Sequence, residues 1–266
     1  MNHLSTPRIL ISVTLAAFGP LSLAQPIEAG ESKIIIETNT TDGDVGLHGL
    51  FDADGWRWAR LTDPNGEILL LTSARNGMRT QGMTERFFES SEPVCEEDEP
   101  GDRVQTLAEF LALFPEGEYT YRAVSIDGEP ILGTADLTYD MPAAPDISLS
   151  DGMIFDIDDV TLMWGPGDDL GESCHDQSLI DDGTITDHAD VAVVEWELVV
   201  EAETEDESLV KKFAVTLPGD QSMFTVPAEF LQPFVDMGVT EFKFEIGARE
   251  ESDNASFSEG VFEIDA

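Results

Sequence analysis

Basic side chains are scarce in this 266-residue chain, which has 13 lysines and arginines against 55 aspartates and glutamates and a net charge of −42. Proteins bind nucleic acid and anionic membrane surfaces through clusters of basic residues. The composition therefore argues against both kinds of partner. A large surplus of carboxylates keeps a protein hydrated and separate from its copies in salt, so we expect a monomer from a marine or salt-loving bacterium.

Long apolar runs are missing after residue 24. Before it, Arg8 precedes an apolar run at residues 9–18, a Gly-Pro pair and the pattern Ser-Leu-Ala at 22–24. This order predicts a signal peptide at residues 1–24, cleaved after Ala24. A membrane anchor is the competing interpretation, but the run has about half of the roughly 20 residues that span a bilayer. We expect export to the periplasm or the cell exterior, without membrane insertion.

Catalytic motifs are missing as well. The sequence has no Gly-x-Ser-x-Gly elbow, no His-Glu-x-x-His zinc motif and no phosphate-binding glycine loop, and beyond residue 24 its only histidines are His48, His175 and His188. Pairs of carboxylates are so frequent that they do not indicate a glycosidase. The sequence therefore predicts a protein that is not an enzyme and has no cofactor, unless it binds Ca²⁺.

Cysteine is limited to Cys95 and Cys174, which lie in acidic segments far apart in the chain. An oxidising compartment favours a disulfide between them, and two free thiols are the alternative. A metal site at Cys174, His175 and His188 is disfavoured, because no compact set supplies four ligands.

Alternation of apolar and polar residues is the main structural signal, because a strand with one buried face repeats every two residues. It places Trp56 and Trp58 on one strand face, and Asp54–Gly55 reads as a turn. Many short strands with regular turns predict an all-β fold of two tandem antiparallel β-sandwiches, each with a short helical turn. The predicted strands cover residues 33–38, 45–51, 56–62, 68–73, 118–123, 131–139, 161–164, 194–201, 209–217, 241–248 and 258–264.

Two prolines at residues 142 and 145 mark a boundary between a module at residues 31–141 and a module at 145–266. The motif Ala-Glu-Phe-Leu at 108–111 recurs at 228–231, at a similar place in each module. Thr106 and Glu109 have the spacing of a helix capping box. In the second module, Pro227 suits the first position of the predicted helical turn.

The second module contains the segments Val-Thr-Leu-Met-Trp at 160–164, Val-Pro-Ala-Glu-Phe-Leu at 226–231 and the strand at 242–249, followed by Asn254. Over residues 145–266 these segments resemble a bacterial fibronectin type III domain. The family often has a tyrosine that braces a loop corner, where this chain has Phe242; Tyr119 has the corresponding place in the first module. The whole chain also resembles secreted bacterial two-module proteins with Phe-Pro-Glu-Gly-Glu-Tyr, here at 114–119. The resemblance implies a fold but no activity, since such domains act as spacers, adhesive modules and enzyme accessories.

Clustered carboxylates on loops are the ligands that Ca²⁺ prefers. The candidates lie in four groups, the last of them in an acidic insertion at residues 165–190, and no group completes a helix-loop-helix calcium motif. Solvated acidic loops are the alternative interpretation. The candidate ligands are Asp42, Asp44, Asp52, Asp54, Asp156, Asp158, Asp159, Asp168 and Asp169.

These observations predict a secreted, noncatalytic structural or protein-interaction module with an acidic surface and an unknown protein or cell-surface partner. One alternative is a calcium-dependent binding or adhesion protein, with Trp56 and Trp58 stacking on a surface glycan. Another is an accessory subunit of an exported enzyme complex.

Overall fold

A computed structural model describes residues 25–97, 100–101, 103–204 and 209–265, so the predicted signal peptide lies outside the described residues. Within these ranges no helix is long and apolar enough to cross a membrane. The chain is mostly β-structure with few, short helices. Its strands are Ile27–Glu28 (β1), Glu31–Asn39 (β2), Asp44–Thr62 (β3), Ile68–Ser73 (β4), Met83–Glu89 (β5), Gly117–Ser125 (β6), Pro130–Leu137 (β7), Pro145–Asp146 (β8), Met153–Phe155 (β9), Thr161–Met163 (β10), Gly165–Pro166 (β11), Glu195–Glu203 (β12), Val210–Pro218 (β13), Met223–Thr225 (β14), Glu241–Arg249 (β15) and Ala255–Ile264 (β16). The helices are Asn76–Gln81 (α1), Leu107–Leu113 (α2), Gly171–Cys174 (α3), Gln177–Asp181 (α4) and Ala228–Val235 (α5), with 3-10 turns at Ile157–Asp159 and His188–Asp190.

Strand β3 organises the first half of the chain. Its first part pairs with β2 and β5, and its second part pairs with β4 and β6. The prediction that a turn at Asp54–Gly55 ends a strand is therefore wrong, because β3 continues through both residues. Gly55 takes a positive φ of 57°, and the register with β5 is irregular there. One sheet thus folds over itself and covers the first core, where the sequence predicted a β-sandwich.

A β-bulge lies next to Gly55 and separates the two tryptophans. Trp56 and Trp58 pair with the consecutive β6 residues Ser125 and Val124, so β3 has one extra residue between them. Consecutive residues of a strand point to opposite faces. Trp56 is fully buried in the core and Trp58 lies on the outer face, partly exposed. The prediction that both share one face is wrong, because the bulge changes the alternation.

The first core is closed at one end by α2. The capping box is confirmed: the Thr106 hydroxyl accepts from the Glu109 amide at 3.3 Å, and the Glu109 carboxylate accepts from the Thr106 amide at 3.2 Å. Phe110 from α2 is buried in this core. Tyr119 donates its hydroxyl hydrogen to the Pro115 carbonyl at 3.0 Å, which ties the loop after α2 to β6.

The second core lies between two groups of strands. On one side are β16, β15, β12 and β13 in that spatial order, and on the other is the pair β10 and β14. Leu162 from β10 and Leu198 from β12 are both fully buried in the same cluster. Phe242 packs parallel to Phe262 at 5.4 Å between ring centroids. Pro227 precedes α5 as its N-cap residue, one position earlier than predicted.

The two halves share a continuous sheet. Strand β2 from the first half pairs in parallel with β16 from the second, over three residue pairs that begin at Glu37 and Ala255. The fully buried Asn254 reinforces this junction. Its carbonyl oxygen accepts from the Ile36 amide at 2.8 Å, and its amide group donates to the carbonyl oxygens of Thr138 and Asp140.

The acidic insertion at residues 165–190, hereafter the arm, is part of the first core. Leu170 and Ile185 are buried among first-half residues, while most of the arm's described carboxylates face outward. The arm also holds the connecting segment, because the Ala144 amide donates to the Asp169 carbonyl at 2.6 Å. Cys174, also on the arm, forms a disulfide with Cys95 in the first half. The insertion therefore joins the two halves.

Candidate functional site: a carboxylate and histidine cluster on the shared sheet

The outer face of the shared sheet carries a row of carboxylates. Glu245 on β15 lies directly opposite Glu259 on β16. Glu37 and Glu197 lie on the same face and, with Glu245 and Arg249, line a cavity of about 110 Å³. Like charges placed opposite each other on neighbouring strands repel. Binding of a cation or a proton to these carboxylates therefore relieves the repulsion on this face.

Burial makes this repulsion stronger. The pKa of Glu245 is raised to about 7, first by burial and then by Glu259, Glu37 and Glu197, while Lys212 lowers it. An acid whose pKa is raised in the folded state binds protons more tightly when folded. At neutral pH this carboxylate therefore opposes folding, unless a cation lies next to it.

A histidine stands at the end of this row between two carboxylates. His48 on β3 is 7% exposed. Its Nε2 lies 2.8 Å from Oε1 of Glu92, in the segment after β5, and its Nδ1 lies 3.6 Å from Oε2 of Glu37 on β2. Among the residues that the structure describes, only these three form a group of this size that could hold a metal ion.

Gly46 leaves the space that Glu92 occupies. It lies opposite Glu37 in the ladder between β2 and β3, and a Cβ atom added there would overlap the Glu92 carboxylate. Because only glycine lacks a Cβ, this position lets a carboxylate from a loop reach the buried imidazole. The negative charge of Glu92 also affects the pKa of the neighbouring Asp44. Burial first, then Glu92 and Asp42, raise the pKa of Asp44 to about 6.

Nε2 of His48 lies within hydrogen-bond distance of the Glu92 oxygen, at 2.8 Å. Neighbouring ligands of a tetrahedral ion with bonds of about 2.0–2.2 Å are about 3.3–3.6 Å apart, so an ion bound through Nε2 requires the Glu92 carboxylate to move outward by about 0.5–0.8 Å. Glu37 faces the other ring nitrogen. A carboxylate in that place orients a metal-binding histidine and fixes which nitrogen is free. Burial is the main cause that raises the pKa of Glu37, and the charge of His48 opposes it.

The ligand types indicate which ion fits. Imidazole with carboxylate suits Zn²⁺ and other first-row divalent ions, whereas Ca²⁺ prefers oxygen ligands alone. Without a metal, the His48 ring lies between the Glu92 carboxylate at 2.8 Å and the Glu37 carboxylate at 3.6 Å.

The predicted calcium ligands lie in separate parts of the fold. Asp42 and Asp44 lie at the hairpin between β2 and β3, near Glu92, and Asp42 accepts from the Asn39 amide group at 2.9 Å. Asp52 and Asp54 lie within β3, and Asp168 and Asp169 lie on the arm. Asp156 caps the 3-10 turn that contains Asp158 and Asp159.

Two of these carboxylates accept a hydrogen bond from the backbone amide two residues further along the chain. The Asp156 carboxylate accepts from the Asp158 amide at 3.0 Å, and the Asp169 carboxylate accepts from the Gly171 amide at 2.9 Å. Such bonds are typical of turns. Calcium binding at these positions stays a prediction.

The histidines on the arm form a different kind of contact. The rings of His175 and His188 lie edge to face at 6.1 Å between centroids, beside the disulfide of Cys174. His188 is fully buried, and its Nδ1 lies 2.9 Å from the Met141 carbonyl oxygen. Burial is the main cause that lowers the pKa of His188, so the neutral ring is favoured there. With its sulfur in the disulfide, Cys174 is no ligand for a metal.

Sequence reasoning did not find Glu37 and Glu92. Each is one of 55 acidic residues, and neither lies in a recognisable motif with His48. The pairing of β2 with β3 and the path of the segment after β5 bring them together.

No protein-family model matches the chain, and no curated protein matches it by sequence. Among solved structures, it is similar to a tetra-tandem repeat in the extending region of a large adhesion protein, with 14% identity and a TM-score of 0.27 over 89% of this chain and 50% of that one. It is also similar to the FN1–FN3 domains of chicken CNTN1, with 8% identity and a TM-score of 0.29 over 89% of this chain and 64% of that one. It is similar as well to a structure of a 1.5-MDa bacterial ice-binding adhesin, with 12% identity and a TM-score of 0.23 over 91% of this chain and 67% of that one. The chain spans half of the adhesion-protein structure, and TM-scores this low establish neither a shared fold nor a shared function.

Proposed function

We propose that the chain is an exported, noncatalytic adhesion or protein-interaction unit in which two immunoglobulin-like modules are held in one fixed orientation. The observation that carries this proposal is the junction between the halves. Strand pairing from β2 to β16, the Cys95–Cys174 disulfide and the buried amide of Asn254 all cross it. A hinged protein would have few such contacts.

The strand order of the second half supports a fibronectin type III-like module. Strands β16, β15, β12 and β13 lie side by side and enclose a core with β10 and β14, as in a two-sheet sandwich. Trp164 from the segment after β10 meets Trp196 from β12 edge to face at 6.3 Å between centroids, inside that core.

The surroundings of the histidines support a noncatalytic role. His48 faces two carboxylates, and His188 faces a backbone carbonyl. In a nucleophilic site the histidine contacts a serine, threonine or cysteine, and neither His48 nor His188 has a hydrogen bond to one in the described part of the chain. Both cysteines are in the disulfide, so neither supplies a thiolate.

The adhesion role is tested by coating beads with the purified protein and measuring their retention on cells of the source organism under flow. We expect more retention than for beads coated with an unrelated protein of similar negative charge. Equal retention of both coatings would contradict the proposal. Small-angle scattering on the same sample tests the fixed orientation, since one compact profile at all salt concentrations is expected.

A second candidate function follows from the His48 cluster: binding that depends on a divalent cation. Thermal unfolding is measured with Zn²⁺, Mn²⁺ and Ca²⁺ at matched ionic strength. We expect Zn²⁺ to raise the midpoint in a saturable way, because ligand binding to the native state stabilises it. His48→Gln removes the rise, and His175→Gln is the control that keeps it. A rise with Ca²⁺ alone that survives His48→Gln would place the cation on the acidic loops instead.

A further inference from the structure

The outer face of the first half has a surface that differs from the rest of this acidic protein. Ala59, Tyr121 and Ile131 on β3, β6 and β7 point into the core, so their strand neighbours point outward. The outward residues are Trp58 and Arg60 on β3, Arg122 and Val124 on β6, and Pro130 and Leu132 on β7. We call these six residues the arginine face.

The bulge in β3 creates this surface. In a regular strand Trp58 would have the same orientation as the buried Trp56, and the bulge between the two residues reverses it. The bulge places the indole of Trp58 outside, two positions from Arg60 on the same side of the strand. Both side chains are partly exposed, and Arg122 is exposed.

Two arginines lie directly opposite each other on this face. Arg60 pairs with Arg122 in the ladder between β3 and β6, so their Cβ atoms are about 5 Å apart. Like charges in this arrangement repel. Neither guanidinium makes an ion pair with a carboxylate in the described part of the chain. The Nε of Arg60 is buried and lacks a hydrogen-bond partner there.

In the described ranges only Lys33, Lys212 and Arg249 among the lysines and arginines form an ion pair with a carboxylate. The position of Arg60 and Arg122 beside apolar surface therefore distinguishes this pair, and their lack of ion pairs does not. The arginine face borders an open groove of about 300 Å³, and no acidic residue lines it. Glu28 lies beside Leu132 on the neighbouring strand, yet it forms no ion pair with either arginine. Two opposed arginines beside an apolar groove that no acidic residue lines are complementary to an anion that also has an apolar side.

We propose that the arginine face binds an acidic sugar, a hexuronate within a polysaccharide. Two arginines opposite each other in the ladder match a planar carboxylate, because a guanidinium group donates paired hydrogen bonds to its two oxygens. The π face of an indole is electron-rich and attracts the weakly positive C–H groups on one side of a pyranose ring. The groove volume is at the lower end of the range for small-ligand sites and suits one or two sugar rings.

An acidic peptide is a poorer match. A peptide binds a sheet mainly by adding a strand at its edge, whereas Trp58 and both arginines lie on the face of the sheet. The hexuronate site names a ligand for the adhesion role and therefore rests on the proposed function.

The test uses isothermal titration of the purified protein with a galacturonic acid trimer in 150 mM salt and a metal chelator, which removes any bridging cation. A galactose trimer is the neutral control. We expect the acidic trimer to bind and the neutral trimer to bind at least 10-fold more weakly. Arg122→Gln and Trp58→Ala each weaken binding of the acidic trimer at least 10-fold. Arg79→Gln on α1 is the matched control, since Arg79 is exposed and lies outside the groove.

Three outcomes overturn the hexuronate site. They are no binding of the acidic trimer, binding that neither Arg122→Gln nor Trp58→Ala changes, and equal binding of a glutamate hexapeptide through the same residues. The bead assay separates this failure from failure of the adhesion role. Retention on cells that persists in Arg122→Gln, without trimer binding, keeps the adhesion role and rejects the sugar site.

Discussion

Removing the Cys95–Cys174 disulfide is the sharpest test of the junction between the two halves. The two cysteines are 79 residues apart in the chain. Closing a loop of about 80 residues lowers the entropy of the unfolded chain by about 15 cal/mol/K, or about 4.5 kcal/mol at 25 °C. We expect Cys95→Ala/Cys174→Ala to lower the free energy of unfolding by about that amount, because the variant loses this restriction of the unfolded chain. In the folded chain the bond links the arm to the segment after β5.

Urea unfolding in 1 M salt, followed by tryptophan fluorescence, measures this effect. With a slope near 2–3 kcal/mol/M, the midpoint should fall by about 1.5–2 M. The wild-type protein reduced with dithiothreitol is the control, since it keeps both sulfur atoms and loses only the bond. A fall in the alanine variant without one in the reduced protein would assign the effect to lost packing. A change under about 1 kcal/mol in both samples would refute the entropic argument.

Two further predictions concern the shared sheet. Asn254→Ala should lower the free energy of unfolding by about 2–4 kcal/mol in urea, because it leaves the buried Ile36 amide without its acceptor and removes the donor to the Asp140 carbonyl; a loss under 0.5 kcal/mol, a rough threshold on the same scale, would be incompatible with this account. Glu245 has a pKa raised to about 7, so its contribution to stability is present below pH 4.5, its ordinary value, and is lost as the pH rises through about 7. Glu245→Gln should raise stability at pH 7.5 by about 1–2 kcal/mol, less than the full shift implies because solvent screens part of it, and by almost nothing at pH 4.5. Urea curves at the two pH values measure the difference; an equal gain at both would contradict the assignment to Glu259 and burial.

The alternating strands are the part of the fold that the sequence predicts best. Strand β4 has the predicted bounds, and β12 and β15 differ from the prediction by a residue or two. Strands β12 and β15 bury one face, so period-two alternation is complete in both, whereas β4 has no buried residue and its bounds follow from the turn residues around it. Strand β5 was missed because most of its residues are exposed and its sequence does not alternate.

The features that depend on distant contacts were not predictable from local pattern. The parallel pairing of β2 with β16 joins residues more than 200 positions apart. The arm reads as an acidic loop because its carboxylates outnumber Leu170 and Ile185, although those two residues fix its place in the first core. For the same reason the His48 cluster was not found, since Glu37 and Glu92 are defined only by the folded chain.

Ionic strength separates the roles that we propose for the two charged surfaces. On the shared sheet, salt screens the repulsion between Glu245 and Glu259, so added salt should stabilise the fold. On the arginine face, salt screens the attraction between the arginine pair and a carboxylate, so sugar binding should weaken as stability rises. A protein whose carboxylates only keep it soluble would be stabilised by salt but would show no salt-dependent sugar binding. Opposite slopes of unfolding midpoint and trimer affinity between 0.1 and 1 M salt, measured in a metal chelator, are therefore expected for the arginine face, whereas a trimer affinity that does not fall with salt would contradict binding through the arginine pair.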